Sequence, residues 1–388
     1  MESQLPTANL FEKILKYKIK IMKYLKSLCL LFLGISLLAI SCESDDEING
    51  TSGCNSDFDQ EALFINLADN IIVTGYEDLQ AKLVKLQTET NSFVGALDQV
   101  SLDNLRAAYL GAYVDYQKIA AFEFGPAETV FLRTSLNNFP TNVTEIENHI
   151  ANNTTGFDQP DDFDKGFPAV DYLLFGIAET DESILYLYTA GDGYKDYLVA
   201  LVTDMKERVD QTLDGWNTDY RETFVKNTGT AAGSSLSLII NGLNENYELI
   251  KRQKLGIPSG VLTLGFLNPT EVEAFYSGNS VLLAKAGLEA TVGLYKGYDG
   301  IGLDDYLQDI NAMKGSETLD AAIQGQFITM IEKVSALEDP LSEMIEADVT
   351  PLVEAYNEVA KQLVNIKTDM PSVLCVSITY IDNPSDSD

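Results

Sequence analysis

The sequence predicts an all-α protein made of two helical bundles, with at most a short C-terminal strand. Three observations carry this expectation. The chain has long proline-free intervals, apolar residues recur within them at spacings of three and four, and only one segment alternates like a strand. Prolines at 6, 126, 140, 160, 168, 258, 269, 340, 351, 371 and 384 leave room for unbroken helices between them. At 388 residues the chain has material for about two domains. With 45% hydrophobic and 22% charged residues, neither a disordered chain nor a polytopic membrane protein fits.

The first element is an address label. A lysine-rich stretch from Lys13 to Lys26 precedes the apolar run LCLLFLGISLLAI, Leu28 to Ile40, which is too short to span a bilayer and suits a signal peptide. The run ends in LAISC, which resembles the lipobox of bacterial lipoproteins. Residues 1–41 are therefore expected to be removed and Cys42 to carry lipid, anchoring the protein to a membrane; Met22 offers an alternative start. Residues 42–55, including ESDDEINGTSG, read as an acidic tether. Acids directly after the cysteine resemble signals for the outer face of an outer membrane. The expected place is the outer membrane, surface-exposed or else facing the periplasm.

The body then reads as helices. Asp57 to Ile71 and Gly75 to Phe93 give two, followed by Leu102 to Phe124, where Leu105, Ala108, Tyr109, Ala112, Tyr113 and Tyr116 line one face and Gly125-Pro126 stops the run. Tyr194 to Leu213 closes at Gly215, and Ser234 to Lys251 follows. Ser280 to Leu294, Thr318 to Leu337 and Thr350 to Ile366 complete the set, the last with Thr350 as cap and Pro351 at the first helical position. VLCVSITYI, Val373 to Ile381, alternates like a strand. The expected division is an N-terminal bundle over 56–218, a C-terminal bundle over 219–382 and a tail over 383–388.

Charge and rare residues exclude whole classes of function. Lys plus Arg total 26 against 59 Asp plus Glu, a net charge of -33, so nothing here could neutralise a row of phosphates; nucleic acid is not a partner. His149 is the sole histidine, so a Ser/His/Asp triad or a two-histidine metal site would have to use it or go without. It lies in the polar stretch TEIENHIANN and reads as exposed or locally hydrogen-bonded. Cys29 leaves with the signal. Cys54 and Cys375 then form the remaining pair in an oxidising setting, one before the first helix and one after the last, and a disulfide is predicted with two free thiols as the alternative.

The densest polar segment is FDQPDDFDKGFPAVDYLLFG, residues 157–176. Asp162, Asp164 and Gly166, beside Asp158 and Asp161, have part of a calcium loop's spacing, but the later ligands are missing and a solvated capping loop is the simpler account. Pro168 sits where a helix would begin, and Asp171 one turn in, near the positive end of its dipole.

GFPAVDYLLFG resembles the GxHxxE region of imelysin-like proteins. FEFGPAE (Phe122 to Glu128) before it, and KLGIPSG (Lys254 to Gly260) and IKTDMPSVLCVSITYIDN (Ile366 to Asn383) after it, occur in the family's order, so the resemblance spans nearly all of the exported part. It implies an all-helical two-domain fold, often on an outer-membrane or periplasmic lipoprotein, linked to iron uptake and in some members described as peptidase. This sequence departs from the pattern at two positions. Pro168 stands at the motif's histidine and Asp171 at its glutamate. A histidine and a carboxylate three residues apart share a helix face and could hold one metal ion, whereas proline has no donor atom.

The polar groups left are Glu123 and Glu128 around the FGP turn, Arg133 in FLRTSL, and Tyr276 in FYSGNS. With Gly166, Pro168 and Asp171 they form the candidate ligand site between the bundles; Asp171 and Glu123 are the candidate catalytic carboxylates. No metal site is expected. Nineteen tyrosines would allow a tyrosine-held haem, yet no spacing singles one out, so no cofactor is predicted, with haem and a divalent cation left as open alternatives. The preferred function is a non-catalytic binding protein for an exported ligand or partner, with a link to iron uptake. The alternative is a peptidase with a carboxylate-based site.

Overall fold

Spacings of three and four do produce helices along nearly the whole body. The computed structural model describes residues 54, 56–155, 157 and 162–380. The expected signal peptide, Cys42, most of the tether, the tail, and Asp158 and Asp161 lie outside these described residues.

Helix α1 runs through residues 60–96: α over Gln60–Asn66, π-helical over Leu67–Val73, and α again over Thr74–Ala96. Leu97 turns left-handed at φ 51°, and Asp98 caps α2, Gln99–Ile119, accepting the Ser101 N–H at 2.9 Å. The short helices α3 (Pro126–Thr129), α4 (Leu132–Leu136) and α5 (Val143–Asn152) lead to α6 (Gly166–Asp171), which continues as a π turn over Tyr172–Gly176. After α7 (Asp181–Ala190), α8 spans 193–226, with a π segment at Trp216–Tyr220. Helix α9 is Ser235–Leu249 extended by the π segment Ile250–Gly256. Then follow α10 (Ser280–Lys296), α11 (Leu303–Asp309), the strands β1 (Met313–Lys314) and β2 (Glu317–Thr318), α12 (Leu319–Ser335), α13 (Leu341–Ala347) and α14, which covers 350–374. β1 and β2 pair antiparallel, Met313 opposite Thr318.

Helix α1 packs on α2 and α8, α12 packs on α10 and α14, and α2 packs on α10, so one continuous core joins both groups. Residues 48–388 cluster as one compact unit carrying this core. Residue 218, the expected boundary, lies inside α8. Cys54 and Cys375 are joined by a disulfide with Cα atoms 5.3 Å apart. Among the described residues no helix is long and apolar enough to cross a membrane.

Four local expectations need correction. Gly75 does not separate two helices: a Cβ there would meet Ile119 Cγ2 at 2.8 Å, so the glycine admits α2 rather than breaking α1. Gly215 does not end α8; a Cβ there would lie 2.8 Å from Pro126 Cβ, so the glycine makes room for the proline. Thr350 is not the cap of α14; it is the first helical residue, and its N–H donates to Asp348 Oδ1 at 2.9 Å. The C-terminal strand is not formed. Helix α14 runs to Leu374, Cys375 turns left-handed at φ 58°, and the extended residues after it have a side chain for a neighbour. Asn241 Nδ2 donates to the Ser377 carbonyl at 3.0 Å and its Oδ1 accepts the Thr379 N–H at 2.7 Å, standing in for a strand edge.

Candidate functional site

The site is built on one face of α2. Tyr109, Tyr113 and Tyr116 recur at helical spacing, all fully buried, and present hydroxyls along a line. Phe167 from α6 stacks on the Tyr113 ring, centroids 4.4 Å apart and planes 6° from parallel. Burying that phenylalanine contributes about 2–3 kcal/mol, which seats the motif helix against α2. Gly166 enters α6 at φ 71°, where an added Cβ would lie 2.3 Å from the Leu136 carbonyl oxygen; only glycine fits. Pro168 is the third residue of α6, where its missing N–H leaves nothing unpaired. It is buried and offers no donor atom to its surroundings.

Asp171 is 1% exposed. It is not held by the dipole of its own helix, because it is the last α residue before the π turn. Its Oδ1 accepts the Tyr109 hydroxyl at 2.9 Å; its Oδ2 accepts the backbone N–H groups of Tyr276 at 2.8 Å and Ser277 at 3.3 Å. Burial raises its pKa, and the hydrogen bonds from Ser277, Tyr109 and Tyr276 oppose the rise. The Tyr276 ring packs against Tyr172, centroids 5.2 Å apart.

One turn along α2 lies a second group that sequence reasoning missed. Glu273, on the segment before Tyr276, is 1% exposed and pairs with Lys254 Nζ at 2.7 Å. Lys254 Nζ also donates to Gln117 Oε1 at 2.7 Å, and Asn137 Nδ2 donates to Glu273 Oε1 at 2.9 Å while its Oδ1 accepts the Tyr113 hydroxyl. Burial pulls the Lys254 pKa down against the attraction of Glu273. Lys254 stood in the KLGIPSG segment and Glu273 three residues before Tyr276. The signal available was their adjacency to recognised motifs, since neither residue type nor spacing marks a buried pair.

The third group gathers at the Tyr116 end. Glu123 Oε2 accepts the Arg133 N–H at 2.9 Å, and the Arg133 guanidinium pairs with Glu245 at 2.9 Å. Glu128 is exposed on α3; its charge, after that of Glu245, adds to the rise in the Glu123 pKa. Burial is the main cause, and it pushes Glu123 up to about 7 despite Arg133. Asp171 is hydrogen-bonded to Tyr109, whereas Glu123 acts on Tyr116 only through its charge; the two tyrosines are seven residues and about 10 Å apart along α2, and the carboxylates share no hydrogen-bond partner. They do not form a paired acid and base.

The Glu123 shift has a sign that stability measurements can read. A carboxyl whose pKa is higher folded than unfolded holds its proton better in the fold, so its contribution is full below about pH 4.5 and is lost as pH rises through about 7. Allowing for its partial exposure, the wild type should lose about 2 kcal/mol more stability between pH 5 and pH 8 than Glu123→Gln does. Urea midpoints at the two pH values check this; parallel changes in both proteins would refute it.

The donor set does not fit a metal ion of the type the motif implies. Pro168 supplies no ligand, and both Asp171 oxygens already accept hydrogen bonds, Oδ1 from the Tyr109 hydroxyl and Oδ2 from two backbone N–H groups. Among the described residues no cluster of three His, Cys, Asp or Glu side chains is arranged to hold one. His149 is spent elsewhere: Nε2 pairs with Asp164 at 2.9 Å and Nδ1 meets the Thr154 hydroxyl at 2.6 Å, a local hydrogen-bonded role.

Beside Asp171 lies a small cavity of about 30 Å³, walled by Phe139, Pro140, Pro168 and Tyr276, with room for a water or two. Thr270, Phe275 and Tyr276 also line a neighbouring cleft of about 430 Å³, completed by Pro340, Ser342 and Glu343. That volume is within the range of small-ligand pockets. A wider opening of about 770 Å³ between α5 and α8 is lined by two ion pairs, Lys195 with Asp192 and Arg208 with Asp204, beside the acids Asp196 and Glu207.

Comparison with known proteins agrees with the fold. The Peptidase M75 (imelysin) family model matches residues 72–366. Iron-regulated protein A of Synechococcus elongatus is 21% identical over 285 residues, covering 70% of this chain and 74% of that protein. Two crystal structures are similar over their whole length. One, a candidate iron-regulated protein A precursor from Parabacteroides distasonis, has a TM-score of 0.69 at 19% identity and covers 85% of this chain. The other, an imelysin-like protein from Psychrobacter arcticum, has a TM-score of 0.66 at 15% identity and covers 86%. At such identities the two structures speak for the fold alone.

Proposed function

The chain belongs to the imelysin family, and we propose that within it this protein is a non-catalytic binding protein, exported and held at the outer membrane by lipid on Cys42. One observation carries the reading: both oxygens of the motif's carboxylate are engaged inside the protein, by Tyr109, Tyr276 and Ser277, and one turn before it stands Pro168. A carboxylate fixed in this way is a strut. It ties the segment carrying Tyr276 to α6 and so shapes the cleft of about 430 Å³ beside Phe275 and Tyr276, where the ligand sits. The name of the Synechococcus relative supports a link between that ligand and iron supply. The LAISC sequence and the acidic residues after Cys42 support the anchor.

Residues 48–388, which carry the whole described core, serve for the test. Incubated with a reduced and alkylated protein substrate, they should release no peptides above the background of Asp171→Asn. Clean turnover that vanishes in Asp171→Asn would overturn the binding-only reading in favour of a carboxylate-based peptidase.

A further inference from the structure

Three buried side chains that the binding reading leaves unused meet beside the tyrosine line. They are Gln117 on α2, Lys254 in the π segment of α9 and Glu273 on the segment before α10. Their exposures are 2%, 6% and 1%, so bulk water does not reach them. Lys254 Nζ donates to Gln117 Oε1 at 2.7 Å. Glu273 touches both partners: its Oε2 lies 2.7 Å from Lys254 Nζ, and its Oε1 accepts from Gln117 Nε2 at 3.3 Å.

A buried ion pair needs only opposite charges and hydrogen bonds for the atoms left over. This one adds an amide whose carbonyl meets the amine and whose nitrogen meets the carboxylate. With a C=O bond of about 1.23 Å, Gln117 Cδ lies within about 4 Å of Nζ. A turn of the amide about its terminal torsion, which is soft, presents that carbon to the amine. Free amines leave carboxamides intact, but groups held in reactive geometry behave as if one were present at roughly 10⁵ M or more. Burial also pulls the Lys254 pKa down, so the neutral, nucleophilic amine is reached more easily than at a surface lysine.

We propose that Lys254 and Gln117 join in an isopeptide bond, with Glu273 as the proton carrier. Glu273 takes a proton from the ammonium, and Nζ attacks Gln117 Cδ to form the new C–N bond. Glu273 then passes its proton to the carboxamide nitrogen and takes the second proton from Nζ. The old C–N bond breaks and its nitrogen leaves as ammonia. The proton left on Glu273 goes with it as ammonium, so the carboxylate ends as it began. No oxidant or cofactor enters. The ion-paired form is the reactant, and the bond accumulates as the folded protein ages. Where the Cys54–Cys375 bond holds the two ends of the helical body, this one ties α2 to α9 inside the core, across a sequence separation of 137 residues.

The test is the intact mass of residues 48–388, denatured and reduced after several days of storage in the folded state. The wild type should become lighter than its sequence mass by one ammonia, about 17 Da, and trypsin should release a branched peptide joining Gln117 to an uncleaved Lys254. Lys254→Met should keep its full mass, and so should Glu273→Ala that circular dichroism shows to be folded. An unchanged mass in the aged wild type, the same loss in Lys254→Met, or a branched peptide at another lysine would each overturn the proposal. A folded Glu273→Ala that loses ammonia at the wild-type rate would overturn the assigned proton carrier. The deciding masses come from the wild type itself, so a variant that fails to fold leaves the test intact. None of these outcomes bears on whether Asp171 is catalytic, so this proposal and the binding reading fail separately.

Discussion

Glu273→Ala should destabilise the protein by about 3–5 kcal/mol, the cost of leaving a buried ammonium without its partner. Lys254 Nζ is 2.7 Å from Glu273 and from Gln117 Oε1, and the lysine side chain is 7% exposed, so it cannot turn to water when the carboxylate goes. Asn137 loses its acceptor in the same step. The expectation separates the charge from the packing. Glu273→Gln combined with Lys254→Met should recover most of the loss, because removing both charges leaves no uncompensated ion. Urea unfolding of the three proteins at one pH is the check. A Glu273→Ala variant within 1 kcal/mol of the wild type would show that the pair is not buried as described. The consequence reaches the candidate site, because Glu273 fixes the segment whose Tyr276 and Ser277 N–H groups hold Asp171.

Cys375→Ser should be the second large effect. The Cys54–Cys375 bond closes a loop with a sequence separation of 321 residues. Chain entropy alone assigns such a loop about 6 kcal/mol, and measured bonds typically deliver about 2–4. The variant should unfold at clearly lower urea concentration than the oxidised wild type, and the wild type in reducing agent should match it. Equal stability of reduced and oxidised wild type would mean that the bond constrains nothing the helices do not already hold.

What the sequence disclosed, and what it concealed, follows from the range of the interactions involved. The faces of α2, α8, α9, α10, α12 and α14 were legible because apolar spacing is local. Gly75 and Gly215 were misread because a helix-interior glycine that admits a neighbour looks, in sequence, like one that ends a helix; the atoms that decide, Ile119 and Pro126, are far along the chain. Val373 to Tyr380 alternates as a strand does, yet a strand needs a ladder, and the partner that arrived was the side chain of Asn241. At the site, Gly166, Pro168 and Asp171 stood out through the motif, as did the group of Glu123 and Arg133. Their chemistry did not, because the partners of Asp171 are 62 and 105 residues away. Tyr109 and Tyr113 read as plain apolar face, with nothing local to reveal that their hydroxyls would meet Asp171 and Asn137. The disulfide was legible for a different reason: with Cys29 and Cys42 assigned to the expected signal and anchor, two cysteines were left, one at each end of the helical body.

The account rests on Asp171 being a strut and not a ligand. Titration of residues 48–388 with zinc and with ferrous iron, followed by element analysis after desalting, tests this most directly, with Asp171→Asn measured alongside. The account predicts that neither metal is retained in stoichiometric amount by either protein. One equivalent held by the wild type and lost in a folded Asp171→Asn would contradict it.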